Sequence, residues 1–319
     1  MRKATFTFQC RLTAPASFSA YKGSMLRGAL GTFLKKTCCT VRCTSCKDCM
    51  LALHCAFPPL FIGKEAEGGE RAAMLPPPYC IEPGDTGKTF YEAGERFSFN
   101  IMLFSYAVNH LPYFVHAVTL AGQHGMGKNT DAIHGTFELE HVLHNNQSIF
   151  NKEKQKITLT AGEELALPVW DPAPTEKGTL HVYLKTPCRF KADNRFSADL
   201  SFRRMFNLIV RRIRNMWALD GEHILFEDFF SMQDKADAIK ILQSNLYWKD
   251  WTRYSSRQKS SMQLGGLQGS IRYYGDISAF LPFFTLAETL HIGKQTSFGL
   301  GQLSFKWMPD GKDADSPLR

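Results

Sequence analysis

The sequence predicts an α+β protein whose two halves repeat one order of elements. Three observations support this prediction: segments in which every second residue is apolar, helical segments between them, and a polar, proline-containing break near the middle of the chain. The 319 residues are enough for two domains, and a hydrophobic fraction of 44% allows each domain a sizeable core.

The first predicted domain, residues 1–150, opens with a half-buried strand. Residues 5–12 alternate between apolar and polar side chains, which is the period of a strand with one face in the core. Residues 25–34 follow with apolar side chains at helical spacing. After an insertion rich in cysteine and proline, at about 38–60, the pattern continues with a strand at 97–103, a helix at 111–121 and a strand at 137–142.

The second predicted domain, residues 151–309, repeats this rhythm. Its boundary is placed in the polar stretch after Asn145, and the segment WDPAPTEKG at 170–178 is rich in residues that break helices and strands. Residues 310–319 read as a flexible tail. The predicted elements are a strand at 180–184, a helix at 200–217, a strand at 271–273, a helix at 279–290 and a strand at 303–307.

Strands and helices thus interleave in a βαββαβ-like order in each half. This order predicts two tandem ferredoxin-like, or RRM-like, domains, with the cysteine-rich insertion in the first. Only three strands can be placed in each half, one fewer than the fold requires.

The charge balance favours a polyanionic partner. Lysine and arginine total 38 against 30 acidic residues, which gives a net charge of +8 and a pI near 9.0. The N-terminal residues lack the apolar segment of a secretory signal, and no run approaches the roughly 20 apolar residues that span a bilayer. We therefore expect a cytoplasmic protein without a membrane partner, whose cysteines serve as ligands or buried thiols rather than in disulfides.

The cysteines between 38 and 55 are the sharpest local motif. Cys46 and Cys49 have the spacing of a chelating pair, and we expect Cys39 and Cys55 to complete a structural zinc site. Cys43 could replace Cys39, and His54 could replace Cys55. An iron–sulfur cluster is the rival interpretation, because the Cys43, Cys46 and Cys49 spacing is ferredoxin-like, and simple reduced thiols are the third.

Three further segments suggest contacts with RNA. The helix at 200–217 carries five arginines with no acidic residue between them, which indicates a dense positive surface, although a solvated helix face would look similar. A glycine-rich segment at 291–302 could bring backbone close to a phosphate chain, or could be a plain turn. Aromatic and basic residues interleave at 248–259, as in segments that stack on bases. The candidate RNA-binding residues are Arg203, Arg204, Arg211, Arg212, Arg214, Arg253, Arg257, Gly293, Lys294, Gly299 and Gly301.

These segments also carry a family resemblance. RYSSRQ, LGGLQG, GDISAFLPFF and HIGKQTSFGLGQLSF, between 253 and 305, resemble the C-terminal part of CRISPR-associated endoribonucleases of the RAMP superfamily, which process precursor CRISPR RNA. YKGSMLRGALGTFLKK with the cysteines resembles the start of that family's cysteine-containing branch, and FVHAVTLAGQHGMGKNTDAIHGTFEL resembles its middle.

The resemblance implies a function and a mechanism. It implies an endoribonuclease that binds CRISPR repeat RNA and cleaves it without a catalytic metal, by attack of a 2′-hydroxyl on the adjacent phosphate, to give mature guide RNA. A non-catalytic RNA-binding subunit of a CRISPR effector complex is the alternative, and effector subunits are possible partners; a redox protein with a metal cluster is a third reading.

At one position of the first helix the sequence departs from the family pattern. Thr32 stands where related sequences commonly have a histidine. The chemistry needs a base, an acid and a cation, and the candidates for these roles are Tyr21, Lys36 and His291.

Overall fold

The structure, a computed structural model, forms two compact units. One unit comprises Met1–Ala166, Asn215–Glu222 and Ser297–Gly299, and the other comprises Leu167–Arg214, His223–Thr296 and Leu300–Arg319. For residues 191–192, 195–196, 252–255 and 260–263 only backbone is described. The described residues are 1–42, 45–65, 74–84, 87–128, 130, 133–171, 176–192, 195–196, 199–250, 252–255, 260–263 and 265–311.

The first unit contains ten strands and two α-helices within the described residues. Its α-helices are α1 (Lys22–Cys38) and α2 (Leu111–His124), and a π-helical turn covers Pro58–Ile62. A 3-10 helix at Ser105–His110 leads into α2. The strands are β1 (Arg2–Leu12), β2 (Ala16–Ser17), β3 (Tyr79–Glu82), β4 (Phe90–Tyr91), β5 (Arg96–Phe104), β6 (Phe137–His144), β7 (Gln147–Ser148), β8 (Phe150–Asn151), β9 (Lys156–Ile157) and β10 (Glu163–Glu164).

The main sheet of this unit has the strand order of a ferredoxin-like fold. The order is β3-β5-β1-β6-β7, and β10 pairs with the start of β1. The predicted alternation of β1 is confirmed, because Phe6, Phe8, Cys10 and Leu12 are all buried. The strand missing from the sequence prediction is β3, whose four residues are too few to show a period.

The second unit repeats this arrangement. Its described helices are α3 (Phe202–Trp217, of which the last three residues belong to the first unit), α4 (Phe229–Asp237) and α5 (Leu281–Leu290), with a 3-10 turn at Ser278–Phe280. Two further 3-10 turns, at Ala218–Asp220 and Thr296–Phe298, lie wholly or mostly in the segments of the first unit. The strands are β11 (Lys177–Cys188), β12 (Lys191–Ala192), β13 (Arg195–Phe196), β14 (Lys240–Lys249), β15 (Thr252–Ser255), β16 (Ser260–Gln263), β17 (Gly266–Asp276) and β18 (Leu303–Pro309).

The four-stranded sheet of this unit has the order β14-β17-β11-β18. With strands taken in chain order, it matches the order of the four ferredoxin-like strands in the first unit, so the prediction of two tandem ferredoxin-like folds is confirmed. The strand missing from the sequence prediction is β14. Most of its side chains are exposed, so it lacks the alternating burial that identifies a half-buried strand.

The units do not divide where the sequence prediction placed the boundary, between residues 150 and 151. Residues up to Ala166 belong to the first unit, because β8 and β9 form a hairpin and β10 pairs with β1. Most of the predicted tail, residues 312–319, lies outside the described residues. No described helix has both the length and the apolar character needed to cross a membrane.

Candidate nucleic-acid interface

The arginines at the start of α3 are paired with acidic groups. A guanidinium nitrogen of Arg203 donates to Asp237 of α4, and another donates to the side-chain oxygen of Gln233 at 3.0 Å. Arg204 forms an ion pair with Asp199. The helix itself contains no acid, but the fold brings acids to it from neighbouring segments. Its N-terminal half is therefore not the unopposed positive surface that the sequence predicts.

Two further arginines of α3 pack within the second unit. Arg212 is buried, and its Nε donates to the carbonyl oxygen of Leu290 at 3.0 Å, at the end of α5. Arg214 lies 4.7 Å from the centroid of the Phe229 ring, close enough for a cation–π contact. As a buried residue that caps a helix, Arg212 is not available to RNA, which corrects its assignment. Arg211, in contrast, is exposed.

The glycine-rich segment is held by backbone contacts. The Lys294 N–H donates to the Arg189 carbonyl at 2.7 Å, and the Ile292 N–H donates to the Gly301 carbonyl at 2.9 Å. Gly301 has a φ of +75°, and a Cβ there would lie 1.8 Å from the Ile292 oxygen. The glycine is thus required for close packing of the chain on itself.

The other glycines of this segment have similar roles. A Cβ at Gly293 would lie 2.5 Å from the Arg189 oxygen, and one at Gly299 would lie 2.3 Å from the Ile81 oxygen. Gly299 and Gly301 are buried, which leaves no surface for a phosphate at either glycine and corrects the prediction. Lys294, in contrast, is exposed.

Three basic residues remain together at one end of the second unit. Lys294 is hydrogen-bonded through its backbone to Arg189. Burial raises the pKa of the neighbouring Cys188 thiol to about 12, and the charge of Arg211 acts in the opposite direction, which places Arg211 near this thiol. Arg189, Arg211 and Lys294 form what we call the loop-end cluster. Arg257 and the side chain of Arg253 lie outside the described residues.

Two of the predicted catalytic residues are buried. The Tyr21 hydroxyl donates to the Phe298 carbonyl at 2.7 Å, and burial raises its pKa. His291 is fully buried at the end of α5, where it adopts a φ of +59° and its N–H donates to the Ala287 carbonyl. Neither side chain can reach an RNA phosphate in this structure, so both predictions of a catalytic role lose their geometric basis.

Lys36, the third predicted catalytic residue, lies on an exposed surface with a histidine. Its Nζ is 4.8 Å from the centroid of the Phe33 ring, and the ring of His124, at the end of α2, is 5.0 Å from the same ring. Thr32 is exposed one helical turn before Lys36, and its hydroxyl donates to the Gly28 carbonyl. We call Lys36 and His124 the helix-end pair.

The hydrogen bond of His124 fixes its tautomer. Its Nδ1 is 2.9 Å from the Leu120 carbonyl oxygen. Because a carbonyl oxygen only accepts, Nδ1 carries the proton, and in the neutral ring Nε2 is an acceptor. The sequence prediction missed His124. Its position just after the predicted helix at 111–121 was the available signal, but nothing in the sequence showed that α2 would bring it to the end of α1.

The four predicted zinc ligands surround one cavity. Cys39, Cys46, Cys49 and Cys55 line a small cavity of about 10 Å³ together with three apolar residues, Ala52, Phe57 and Pro58. Within the described residues, however, no three histidine, cysteine or acidic side chains converge on a common point at metal-binding distances. Cys43 lies outside the described residues, and no disulfide joins the cysteines that are described.

The chain thus combines two successive ferredoxin-like units with one basic cluster, in which Arg211 and Lys294 are exposed. Residues 1–163, just over half of the chain, match the family model AF_1859_N, which describes an N-terminal domain. Residues 182–303 match the family model of the CRISPR-associated endoribonuclease Cas6. The chain belongs to the AF_1859_N family, and its second half is similar to the CRISPR-associated endoribonuclease Cas6. No curated protein matches the chain.

Solved structures with Cas6 components share the fold. A Cas6 product complex has a TM-score of 0.53 and 12% identity, over 95% of this chain and 100% of that one. A Thermus thermophilus Cas6 has a TM-score of 0.50 and 11% identity, over 96% and 98%. A partial Cas6-RT-Cas1–Cas2 complex has a TM-score of 0.53 and 15% identity, but this chain spans only 48% of that one.

Proposed function

We propose that the protein is an endoribonuclease that binds CRISPR repeat RNA and cleaves precursor CRISPR RNA without a catalytic metal. The match of residues 182–303 to the Cas6 endoribonuclease family carries this proposal. The loop-end cluster supports it, since Arg211 and Lys294 are exposed cations on the matched segment and can contact phosphates. The similarity to a chain of a Cas6-RT-Cas1–Cas2 complex supports partner subunits as a further part of the proposal.

The helix-end pair offers the groups that this cleavage needs. His124 Nε2 accepts the proton of the 2′-hydroxyl, whose oxygen then attacks the adjacent phosphorus. The Lys36 ammonium stabilises the added negative charge on the phosphate oxygens and gives a proton to the departing 5′-oxygen. The products are a 2′,3′-cyclic phosphate and a free 5′-hydroxyl. Protein groups thus supply the base, the cation and the acid.

The experiment is cleavage of a labelled cognate repeat RNA in EDTA. We expect cleavage at one position, with a cyclic phosphate on the upstream product, because the attacking oxygen comes from the RNA itself. A single 2′-deoxy substitution at the cleaved nucleotide should abolish the reaction, whereas the same substitution one nucleotide downstream should leave it unchanged.

Other outcomes have clear meanings. Cleavage that needs added magnesium, or that survives the 2′-deoxy substitution at the cleaved nucleotide, contradicts the mechanism. Binding of the repeat RNA without cleavage would instead identify a non-catalytic RNA-binding subunit.

A further inference from the structure

The four-stranded sheet of the second unit has one face covered by helices and one open face. On the covered face, Tyr273 of β17 contacts Phe202 of α3 with ring centroids 5.2 Å apart, and Phe305 of β18 contacts Phe284 of α5 at 5.8 Å. Successive residues of a strand point to opposite faces, so the neighbours of these residues along β17 and β18 belong to the open face.

A row of basic side chains crosses the open face. His181 of β11 is paired in register with Arg272 of β17 on one side and with Lys306 of β18 on the other. On the outer strand, Gln243 is paired with Arg272. The row therefore crosses all four strands, and it contains no acidic residue.

The electrostatics of His181 show that these groups affect one another. Burial, and then the charges of Arg272 and Lys306, lower the pKa of His181, which favours the neutral imidazole. The Nε of Arg272 is buried and has no hydrogen-bond partner among the described residues. Arg272 and Lys306 thus lie on either side of His181 in the sheet, and no carboxylate of the row lies between them.

An aromatic residue lies next to the basic row. Tyr183 follows His181 by two residues on β11, and the two rings are 4.0 Å apart, with the tyrosine hydroxyl 2.7 Å from His181 Nδ1. Its cross-strand partners are the small residues Ser270 and Ser304. Neither cross-strand neighbour therefore places a bulky side chain beside the Tyr183 ring.

Tyr247, on the outer strand β14, adds a second aromatic group. It is 52% exposed, and it is paired in register with Gln268, which lies on the same face of β17 as Ser270 and Arg272. The open face therefore combines two permanent cations, aromatic rings and small polar residues, which are the groups that bind bases by stacking and phosphates by charge.

We propose that this open face binds an unpaired RNA segment that flanks the cleaved position, with a base on Tyr183 and phosphates at Arg272 and Lys306. The inference rests on the proposed function, since it assumes that the ligand of the protein is RNA. Charge selects a polyanion, and the aromatic surface favours unpaired bases over a duplex, whose base faces are already stacked. The residues of this face belong to the strands of the sheet, and none of them belongs to the loop-end cluster. The face is therefore a second RNA-binding site.

The test uses the full-length protein and two labelled RNAs, the cognate repeat with an unpaired flank and the same repeat without it. We expect Arg272→Gln with Lys306→Gln to weaken binding of the flanked RNA about tenfold at low salt. The slope of log affinity against log salt should fall by about 1.4, at roughly 0.7 for each phosphate contact to a single strand. Lys154→Gln with Lys156→Gln, an equal charge change at exposed positions of the first unit, is the matched control.

The aromatic contact has its own matched pair of variants. Tyr183→Ala should weaken binding of the flanked RNA about tenfold, within the range for loss of one base stacked on an aromatic side chain, while Tyr183→Phe should retain most of the affinity. In the unmodified protein, 4-thiouridine placed in the flank should crosslink under ultraviolet light to the peptide that contains Tyr183.

The outcomes separate this inference from the proposed function. If the protein cleaves the repeat but the flank adds no affinity, or if these variants weaken both RNAs equally, the inference is wrong and the proposed function stands. If the face variants selectively weaken binding of the flanked RNA and no cleavage occurs, the inference stands and the proposed function fails. A protein that binds neither RNA contradicts both.

Discussion

His124 and Lys36 are the residues on which the proposed chemistry depends, and they share a contact with one ring, that of Phe33. We predict that His124→Ala slows cleavage of the repeat RNA by roughly 100-fold or more, because the 2′-hydroxyl loses its proton acceptor. Lys36→Ala should act in the same direction by removing the cation at the phosphate. Single-turnover rates with saturating protein measure the chemical step separately from RNA binding.

His116→Ala is the matched control for this prediction. His116 is also an exposed histidine of α2, two helical turns before His124. We expect the control to cleave at the unmodified rate. Equal rates for the His124 and His116 variants would remove His124 from the mechanism.

Two glycines of α1 give a residue-level test of packing. A Cβ at Gly28 would meet nothing within 4 Å, whereas a Cβ at Gly31 would lie 2.1 Å from the Phe61 ring. That ring is held between Phe57, at 5.3 Å, and the guanidinium of Arg27, at 4.3 Å. The two substitutions should therefore have opposite effects on stability.

We predict that Gly28→Ala raises the free energy of unfolding by about 0.5–1 kcal/mol, since alanine loses less conformational freedom in a helix. Gly31→Ala should lower it by about 1–3 kcal/mol, as overpacking does in cores. Urea unfolding followed by circular dichroism measures both. Shifts of the same sign would show that α1 does not pack on Phe61 as described.

At the scale of elements, the segment between α1 and the π-helical turn carries the predicted zinc ligands. Four thiols line its cavity, and burial, with a further contribution from Cys55 and Cys39, raises the pKa of the adjacent Cys38 thiol to about 12. Thiols that bind a metal must lose their protons, and the four sulfurs would have to converge on one point.

We predict about one zinc for each chain, bound by Cys39, Cys46, Cys49 and Cys55. Elemental analysis of protein purified without added metal measures this content, and Cys46→Ser should lose most of it. Cys188→Ala, which changes a buried cysteine of β11, should keep it. Iron in place of zinc would indicate a cluster, and the absence of both metals would leave a loop of reduced thiols.

The helix α3 shows why the charges along one helix do not suffice to predict its surface charge in the folded protein. Its sequence predicts five arginines on a positive surface, and the apolar residues Phe206, Ile209 and Ile213 of the same helix are buried. The partners Asp199 and Asp237 come from outside the helix, and Arg212 is buried against the end of α5. Helical spacing determines which side chains share a face, but it does not determine what the face meets.

At the scale of the whole molecule, the repeated order of strand and helix patterns in the sequence predicted the fold. The two ferredoxin-like folds follow from alternating and helical apolar patterns, because a chain that buries one face of each element has few ways to do so. The two strands that the patterns missed, β3 and β14, are respectively very short and largely exposed. Neither offers the alternation of buried and exposed residues that a sequence pattern detects.

The sequence by itself determined the fold class, the positive charge, the cysteine spacing and the family resemblance, all of which depend on local order along the chain. The tertiary structure decided which candidate residues are exposed: it buried Tyr21 and His291, and it brought His124 to the Phe33 ring beside Lys36. It also aligned His181 with Arg272 and Lys306 across three strands. Exposure and convergence depend on contacts between residues far apart in sequence, and no local pattern contains that information.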